Sequence, residues 1–343
     1  MGEEAASAGP DGLEIQNLYN ISILNALWKI ISGTRYDYRD PQLIDLTRKV
    51  NEAMLTLGPK FSLTFIMPWL RIFGIDRQFA ENTKRFRAIR DFISETIEQH
   101  QATFNPSEMR DYIDVYLSEI ETETDPESSF YKEKGIENLI QALSDLFFAG
   151  SETTSSTLSW ATLYMMRHPE VQSKVREEIF RVIGKERLSS LSDKQLMPYT
   201  EATMLEIQRL GNIAPFGLPH STYQKELSLR GKVIPKAHTV MVNMGGIMKS
   251  DRGWKDSKHF NPDRHLSPEN GSVVHDERII PFLIGKRQCP GESLARAEIF
   301  LYLTGLLQKF EFRSIDPSNP PSTDFLNGLT AVPLPFKAKV VAL

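Results

Sequence analysis

Cysteine is nearly absent from this sequence, because Cys289 is the only one in 343 residues. A single cysteine excludes an internal disulfide, a CxxC redox pair, and the zinc or iron–sulfur sites that need several thiolates. Three roles stay open for Cys289: a buried structural thiol, a nucleophile, or a single thiolate ligand to a soft metal.

Long apolar runs and an excess of charge of one sign are also lacking. No stretch reaches the roughly 18–20 consecutive apolar residues of a membrane span, and residues 1–12 are small and acidic. We therefore expect neither a signal peptide nor a transmembrane anchor in this chain. The net charge of −4 gives no reason to expect a nucleic-acid partner.

The pattern of apolar residues predicts a chain that is mainly α with small β-sheets. Helices are predicted at 21–31, 41–58, 76–104, from 111, 136–167, 168–183, 191–210 and from the cysteine to about 310. Short alternating runs predict strands at 226–230 and 238–243. We expect a single domain over 1–343, with a helical part, 1–210, and a part, 211–343, that holds the strands, the cysteine loop and its helix.

The residues that flank Cys289 favour a thiolate ligand. Pro290 and the residues after it predict a helix that begins just past the cysteine, with proline at its first position. The unpaired N–H groups and the positive end of that helix would stabilise an anionic sulfur. Lys286 and Arg287 add positive charge nearby.

Two glycines and a phenylalanine complete this loop. Gly285 and Gly291 allow the chain to bend tightly and a flat ligand to approach the backbone. Phe282 can pack beside the sulfur and keep water away.

The middle of the predicted helix 136–167 is unusual for a buried helix. Ala149 and Gly150 weaken the helix by up to ~1 kcal/mol but leave room for a flat group against the backbone. Glu152, Thr153 and a second threonine can interrupt the backbone hydrogen bonds and hold water. A solvent-exposed Ser/Thr face is the alternative interpretation.

Two further features are weak by themselves. Glu206 and Arg209 lie three residues apart on a predicted helix, a common spacing that is worth only a few tenths of a kcal/mol. His220 follows Pro219 between the helical part and the strands, and a structural histidine is its alternative reading.

Together these motifs resemble those of the cytochrome P-450 family, in the microsomal family-two-like clade. Residues 282–291 fit the haem-binding pattern F-x-x-G-x-R-x-C-x-G, and residues 149–154 fit the oxygen-activation pattern A-G-x-[DE]-T-[TS]. The E-x-x-R pair lies between them, in the family's order. The resemblance implies a cytochrome P-450 fold and a haem-thiolate monooxygenase that inserts one oxygen atom of O2 into a small lipophilic substrate.

The resemblance also assigns roles around a haem b cofactor (iron protoporphyrin IX). Cys289 would be the axial ligand of the haem iron, and Arg287 and His220 would pair with its propionates. On the other face, Glu152 and Thr153 would deliver protons for oxygen activation. The segments with Phe282, Gly285 and Gly291, and with Ala149 and Gly150, would line the cofactor.

A buried ion network is implied as well. The family pairs its E-x-x-R residues, here Glu206 and Arg209, with a later arginine, which would be Arg264. The next residue is His265 where the family often has phenylalanine. We expect this departure to perturb packing without removing the arginine.

Partners and location follow from the same resemblance. Electrons would come from NADPH through the P-450 reductase, docked at the basic residues near Cys289, since the sequence holds no G-x-G-x-x-G fingerprint. The apolar segment 61–74, with Trp69 and Arg71, predicts a peripheral membrane contact, with core packing as its alternative. The implied location is the cytosolic face of the endoplasmic reticulum membrane.

The match covers only the later two-thirds or so of a usual family member. No tryptophan of this sequence has an arginine four residues later, although the family uses such a pair to bind a propionate. We therefore expect an N-terminally truncated chain lacking the first part of the fold. Two rival functions stay open: a truncated, catalytically inactive fragment, and a cysteine hydrolase using Cys289 with one of the seven histidines.

Overall fold

The computed structural model describes residues 12–57, 69, 77–223 and 225–343. They form two compact units. The first, which we call the helical unit, comprises residues 17–155 and 327–329. The second, the cysteine unit, comprises residues 12–16, 156–326 and 330–343 and carries Cys289.

The helical unit is built from amphipathic helices whose ends follow local sequence signals. Its helices are α1 (Asn20–Ser32), α2 (Pro41–Thr56), α3 (Arg77–Thr103), α4 (Tyr112–Thr122) and the first part of α5 (Lys132–Arg167). Gly33 ends α1 in the left-handed conformation, with φ of 62°. Three buried aromatic rings, Trp28, Phe92 and Phe147, meet at centroid distances of 5.3–5.8 Å in its core.

The cysteine unit contains the rest of α5, further helices and short strands. Its helices are α6 (Pro169–Ile183), α7 (Pro198–Gly211), α8 (Met244–Met248) and α9 (Glu292–Lys309), with 3₁₀ turns at Leu191–Leu196, Pro262–His265 and Gly285–Arg287. The strands are β1 (Leu13–Glu14), β2 (His220–Ser221), β3 (Leu227–Leu229), β4 (Lys232–Ile234), β5 (Thr239–Val240), β6 (Phe310–Arg313), β7 (Phe325–Asn327), β8 (Ala331–Pro333) and β9 (Lys337–Ala342).

The strands pair in small antiparallel sheets. One sheet has the order β1–β9–β6, with Leu13 opposite Ala338 and Phe312 opposite Val340. β2 pairs with β5, and β3 pairs with β4. The prediction of a mainly α fold with small β-sheets is therefore confirmed.

Most predicted helix boundaries differ from the observed ones by a few residues, and the exceptions have local causes. The predicted helix 191–210 divides at Pro198 into a 3₁₀ turn and α7, because proline favours the first position of a helix. The predicted membrane contact at 61–74 lies outside the described residues, apart from Trp69. In the described part of the chain, no helix has the length and apolar character needed to cross a membrane.

A buried ion pair on α7 anchors the cysteine unit. The side chains of Glu206 and Arg209 are both 0% exposed, and Arg209 donates from Nε and Nη2 to the two carboxylate oxygens at 2.8 and 2.9 Å. The remaining Nη1 of Arg209 donates to the carbonyl of Met248 at the end of α8, at 2.8 Å. The guanidinium also lies 5.1 Å from the ring centre of Trp254.

Arg264 joins this pair, as the resemblance implied. Its Nε donates to Glu206 Oε1 at 3.0 Å. Its two Nη groups donate to the carbonyls of Lys255, Asp256 and His259 at 2.8–3.3 Å. Arg264 therefore ties the irregular segment before it to α7.

The network keeps Glu206 ionised. Burial raises the pKa of Glu206, but the hydrogen bonds from Arg209 and His265 outweigh burial and lower the pKa to about 2. A carboxylate with a lowered pKa stabilises the folded state above its ordinary pKa of 4.5, and this stabilisation is lost as the pH falls toward about 2.

Replacing Arg209 with methionine (Arg209→Met) is expected to destabilise the chain by about 3–5 kcal/mol, because it leaves Glu206 ionised, buried and short of two donors. The free energy of unfolding in urea, followed by far-UV circular dichroism, measures the loss.

The matched control is Arg181→Met. Glu178 and Arg181 have the same E-x-x-R spacing on α6, but Arg181 is 66% exposed. Glu178 also accepts hydrogen bonds from Tyr199 and Thr200, so it keeps partners without the arginine. We expect a change within about 0.5 kcal/mol. Equal losses in the two variants would contradict the account of the network.

Lys249 lies half-buried just after α8, close to this positive charge. Burial, and secondly the charge of Arg209, lower the pKa of the Lys249 ammonium to about 8. Its Nζ lies 5.7 Å from the ring centre of Phe325.

We expect Lys249 to react with an acetylating reagent at pH 7.5 well before the exposed Lys255, because only the neutral amine is nucleophilic. Its labelling rate should reach half its maximum near pH 8. Peptide mass spectrometry after a short pulse of reagent measures both lysines in the same sample. Equal labelling of the two side chains at pH 7.5 would rule this expectation out.

Candidate functional site

Cys289 lies on an ordered loop and faces solvent. The 3₁₀ turn Gly285–Arg287 is closed by a hydrogen bond from the Gln288 N–H to the Gly285 carbonyl at 3.1 Å. The N–H of Cys289 donates to the carbonyl of Phe282 at 2.9 Å. Because the Cys289 side chain is exposed, the alternative of a buried structural thiol is wrong.

The loop contains a backbone conformation that its sequence did not predict. Leu283 has φ of 61°, a left-handed conformation that is rare for a residue with a bulky side chain. Such a conformation costs of order 1–3 kcal/mol and is held by its surroundings. A Cβ on Gly217 would lie 3.6 Å from the Leu283 methyl groups, so Leu283 packs against this backbone.

The two glycines of the loop differ. Gly285 has φ of 83°, and nothing lies within 4 Å of the position that a Cβ would take there. This glycine meets the conformational need that the sequence predicted. Gly291 has φ of −87°, which any residue can adopt, and a Cβ there would lie at ordinary contact distance, 3.9 Å, from Cys289 Sγ.

The helix after the cysteine begins slightly later than predicted. Gly291 is the N-cap and Glu292 is the first residue of α9, so Pro290 lies before the cap and not at the first helical position. Arg296 donates from Nε to Glu292 at 2.8 Å, and its guanidinium lies 5.0 Å from the ring centre of Phe282. Phe282 is therefore held by the first turns of α9.

Two positively charged side chains precede the exposed Cys289 in the sequence. Lys286 and Arg287 are both exposed. His220 is half-buried in β2, where it lies opposite Val240. Its Nδ1 lies 2.8 Å from the Leu218 carbonyl, which can only accept, so Nδ1 carries a hydrogen and Nε2 is left for another partner.

The residues to which the sequence resemblance assigns oxygen activation belong to the helical unit. Thr153 donates from Oγ1 to the Ala149 carbonyl at 2.9 Å, and Glu152 is 3% exposed. α5 continues as an α-helix through this stretch, so the predicted interruption of its backbone hydrogen bonds is wrong. The hydroxyl adds its bond to the helix without breaking it.

The interpretation of Gly150 as space for a flat ligand is wrong at its Cβ position. A Cβ there would lie 2.5 Å from Cδ2 of the buried Leu27 on α1. Packing between α1 and α5 therefore explains the glycine. Ala149, the other small residue, is exposed.

A second group of possible metal ligands lies in the helical unit. Ligand atoms of His100, Asp111 and Asp114 come within 4.8 Å of one another. His100 Nε2 lies 3.0 Å from Asp111, however, and Arg110 donates to both oxygens of Asp114, at 2.5 and 2.8 Å. The carboxylates are thus satisfied by these partners, which makes the group an ion network.

Sequence reasoning underrated one residue. His265 is 1% exposed, and its Nε2 lies 2.8 Å from Glu206 Oε2. The sequence marked the position only as a departure in packing. A polar residue directly after Arg264, where an apolar one is usual, was the signal available. Arg264 itself keeps its bond to Glu206, as expected.

The donor chemistry of the cysteine loop fits an iron porphyrin. Cysteine sulfur is a soft ligand that iron accepts, and Cys289 presents its sulfur at an exposed position. The open space at Gly285 leaves the backbone approachable. Arg287 is exposed and its guanidinium can donate to a carboxylate.

Known proteins are similar to this sequence over most of its length. The family model described as Cytochrome P450 matches residues 1–340. Cytochrome P450 2J2 of Homo sapiens is 39% identical over 320 residues, which are 92% of this chain and 61% of that protein. Cytochrome P450 2B4 of Oryctolagus cuniculus is 38% identical over 330 residues, 95% of this chain and 65% of that protein.

A third relative, cytochrome P450 2C23 of Rattus norvegicus, is 36% identical over 318 residues, 92% of this chain and 63% of that protein. The chain thus spans about three fifths of the length of the curated relatives it matches. The resemblance in the sequence is confirmed, and the mainly helical structure with small antiparallel sheets agrees with it. The chain belongs to the cytochrome P450 family, whose members bind haem b through a cysteine thiolate.

Proposed function

We propose that this chain is a haem-thiolate monooxygenase that inserts one oxygen atom of O2 into a small lipophilic substrate. The observation that carries the proposal is an exposed cysteine on an ordered loop, in a chain whose family uses that cysteine to bind haem. When bound, haem b supplies the redox chemistry that activates O2. The chain would act as a single P450 domain over 1–343.

On this proposal the cysteine loop binds the cofactor. Cys289 would hold the haem iron through its sulfur, and the loop at Phe282, Gly285 and Gly291 would accommodate the ring. The hydrogen bond from the Cys289 N–H to the Phe282 carbonyl, 2.9 Å long, fixes the backbone that presents the sulfur. A preorganised ligand loses little conformational entropy on binding.

Arg287 and His220 pair with the haem propionates. Arg287 is exposed and can donate in a bidentate manner to a carboxylate. His220 already donates from Nδ1 to the Leu218 carbonyl at 2.8 Å. A propionate must therefore meet Nε2, which can donate to it only while the imidazole ring carries both hydrogens.

Glu152 and Thr153 move the protons that oxygen activation consumes, and Ala149 and Gly150 form the small-residue segment next to them. The Thr153 hydroxyl donates its hydrogen to the Ala149 carbonyl at 2.9 Å, which orients the side chain on the helix. Glu152 is nearly buried, at 3% exposure, next to Thr153 in the sequence.

The partners and the location follow from the family. Electrons from NADPH would arrive through the P450 reductase, and the exposed Lys286 offers positive charge for an acidic partner surface. The protein would act at the cytosolic face of the endoplasmic reticulum membrane, with a peripheral contact near 61–74.

The direct test is the carbon monoxide spectrum of the reduced, haem-loaded chain. We expect a thiolate-haem Soret band in the unchanged chain and its complete loss in Cys289→Ser, because a serine oxygen is not a soft anionic donor. Ser293→Ala, at the second residue of α9, is the control and should keep the band.

Other outcomes separate the rival functions. A thiolate-haem band without substrate oxidation in the presence of reductase and NADPH would indicate a catalytically inactive fragment. Haem-independent activity, together with labelling of Cys289 by an electrophilic inhibitor, would indicate a cysteine hydrolase. The ring nitrogens of five histidines contact other groups, which gives no support to the hydrolase; these are His100, His168, His220, His238 and His265.

Thr153→Val tests proton delivery, because it keeps the shape of the side chain and removes the hydroxyl. We expect the yield of oxidised substrate per NADPH consumed to fall at least about tenfold, in line with the usual loss of a positioned proton donor. Thr153→Ser should retain most of the yield. An unchanged yield in the valine variant would contradict the role of Thr153.

A further inference from the structure

His265 occupies a position that a hydrophobic residue could fill, yet it makes a polar contact. It ends the 3₁₀ turn Pro262–His265, is 1% exposed, and lies with Nε2 2.8 Å from Glu206 Oε2. Glu206 is ionised and can only accept hydrogen bonds. The hydrogen of this bond therefore lies on Nε2 of His265.

The contact completes an uneven distribution of donors around Glu206. Oε1 accepts from Arg209 Nη2, from Arg264 Nε and from the backbone N–H of Asn261, at 2.9–3.0 Å. Oε2 accepts from Arg209 Nε at 2.8 Å and from His265. Without His265, this buried oxygen would keep one donor while its neighbour has three.

The donors come from two places in the chain. One is Arg209, on the same helix as Glu206. The other is the segment 261–265, which contributes the N–H of Asn261, the guanidinium of Arg264 and the imidazole of His265. This short segment thus donates hydrogen bonds to both carboxylate oxygens, and a phenylalanine at 265 could not donate one.

The segment 261–265 is linked to the cysteine loop through helix packing. α7, which carries Glu206, packs against both the 3₁₀ turn 262–265 and α9. α9 begins at Glu292, directly after the loop that presents Cys289. A shift of α7 would therefore displace α9, and with it the cysteine loop that precedes α9.

We propose that His265 is a fourth member of the buried ion network, and that by donating from Nε2 to Glu206 it positions α7 and, through α9, the cysteine loop that holds haem. It is a positioning residue, since it touches neither cofactor nor substrate. The statement about haem rests on the proposed function, whereas the hydrogen bond to Glu206 does not.

The test compares two replacements of His265. His265→Phe keeps an aromatic ring but removes the donor, and His265→Gln keeps an N–H at a similar distance from the backbone. We expect the unfolding equilibrium constant in urea to rise about ten- to a hundredfold in the phenylalanine variant, as for other hydrogen bonds to a buried charge. The glutamine variant should stay within about threefold of the unchanged chain.

The matched control is His275→Phe. His275 is 66% exposed and lies 3.9 Å from Glu201, so it represents a histidine near a carboxylate without burial. Its replacement should leave unfolding unchanged. If His265→Phe is as harmless as His275→Phe, the proposal is overturned.

A double-mutant cycle identifies the partner. In a Glu206→Gln background, His265→Phe should add less than about threefold to the unfolding constant, because the charged acceptor is already gone. Full additivity of the two replacements would show that His265 acts through packing and would overturn the proposal.

Two spectroscopic readings complete the experiment. Nitrogen NMR of the histidine rings, with the His265 signals identified by their loss in His265→Phe, should show a hydrogen on Nε2; a bare Nε2 would overturn the assignment. In the haem-loaded chain, the thiolate-haem band should decay at least about fivefold faster in His265→Phe, and His265→Gln should restore its lifetime. Unchanged decay would refute the link to the cysteine loop.

Failure of the proposed function looks different. In that case no variant takes up haem with a thiolate ligand, while the unfolding, cycle and NMR results for His265 still stand or fall by themselves.

Discussion

The carboxylate of Glu206 is the constraint on which the cysteine unit depends. A fully buried charge is costly unless every lone pair is used, and here Arg209, Arg264, His265 and a backbone N–H all donate to it. These donors come from α7 and from the irregular segment before the cysteine loop. One buried acid therefore joins α7 to the 3₁₀ turn Pro262–His265.

The backbone of the cysteine loop is also conformationally constrained. Its backbone includes Leu283 in a left-handed conformation and Gly285 with φ of 83°, and it is closed by the bond from Cys289 N–H to Phe282. The sulfur is therefore exposed on a backbone that is held by its own hydrogen bonds. A ligand on a fixed backbone loses less conformational entropy when it binds.

The sequence was informative where a signal is local. Gly33 ends α1 and Pro169 begins α6 as glycine and proline rules require, so the helix bounds were nearly right. The motifs around Cys289 were equally readable, since they are contiguous. Spacing alone was insufficient for E-x-x-R: the pairs at 178 and 206 have identical spacing, yet only in the second are both side chains fully buried.

What could not be predicted depends on distant neighbours. Gly150 is small because Leu27 of another helix lies against it, and His265 is polar because Glu206 lies opposite, 59 residues earlier. The central claim is that Cys289 binds a haem iron through its sulfur. Iron-edge X-ray absorption of the haem-loaded chain tests it most directly: we predict a sulfur neighbour that disappears in Cys289→Ser, and an iron with only nitrogen and oxygen neighbours in the unchanged chain would contradict the account.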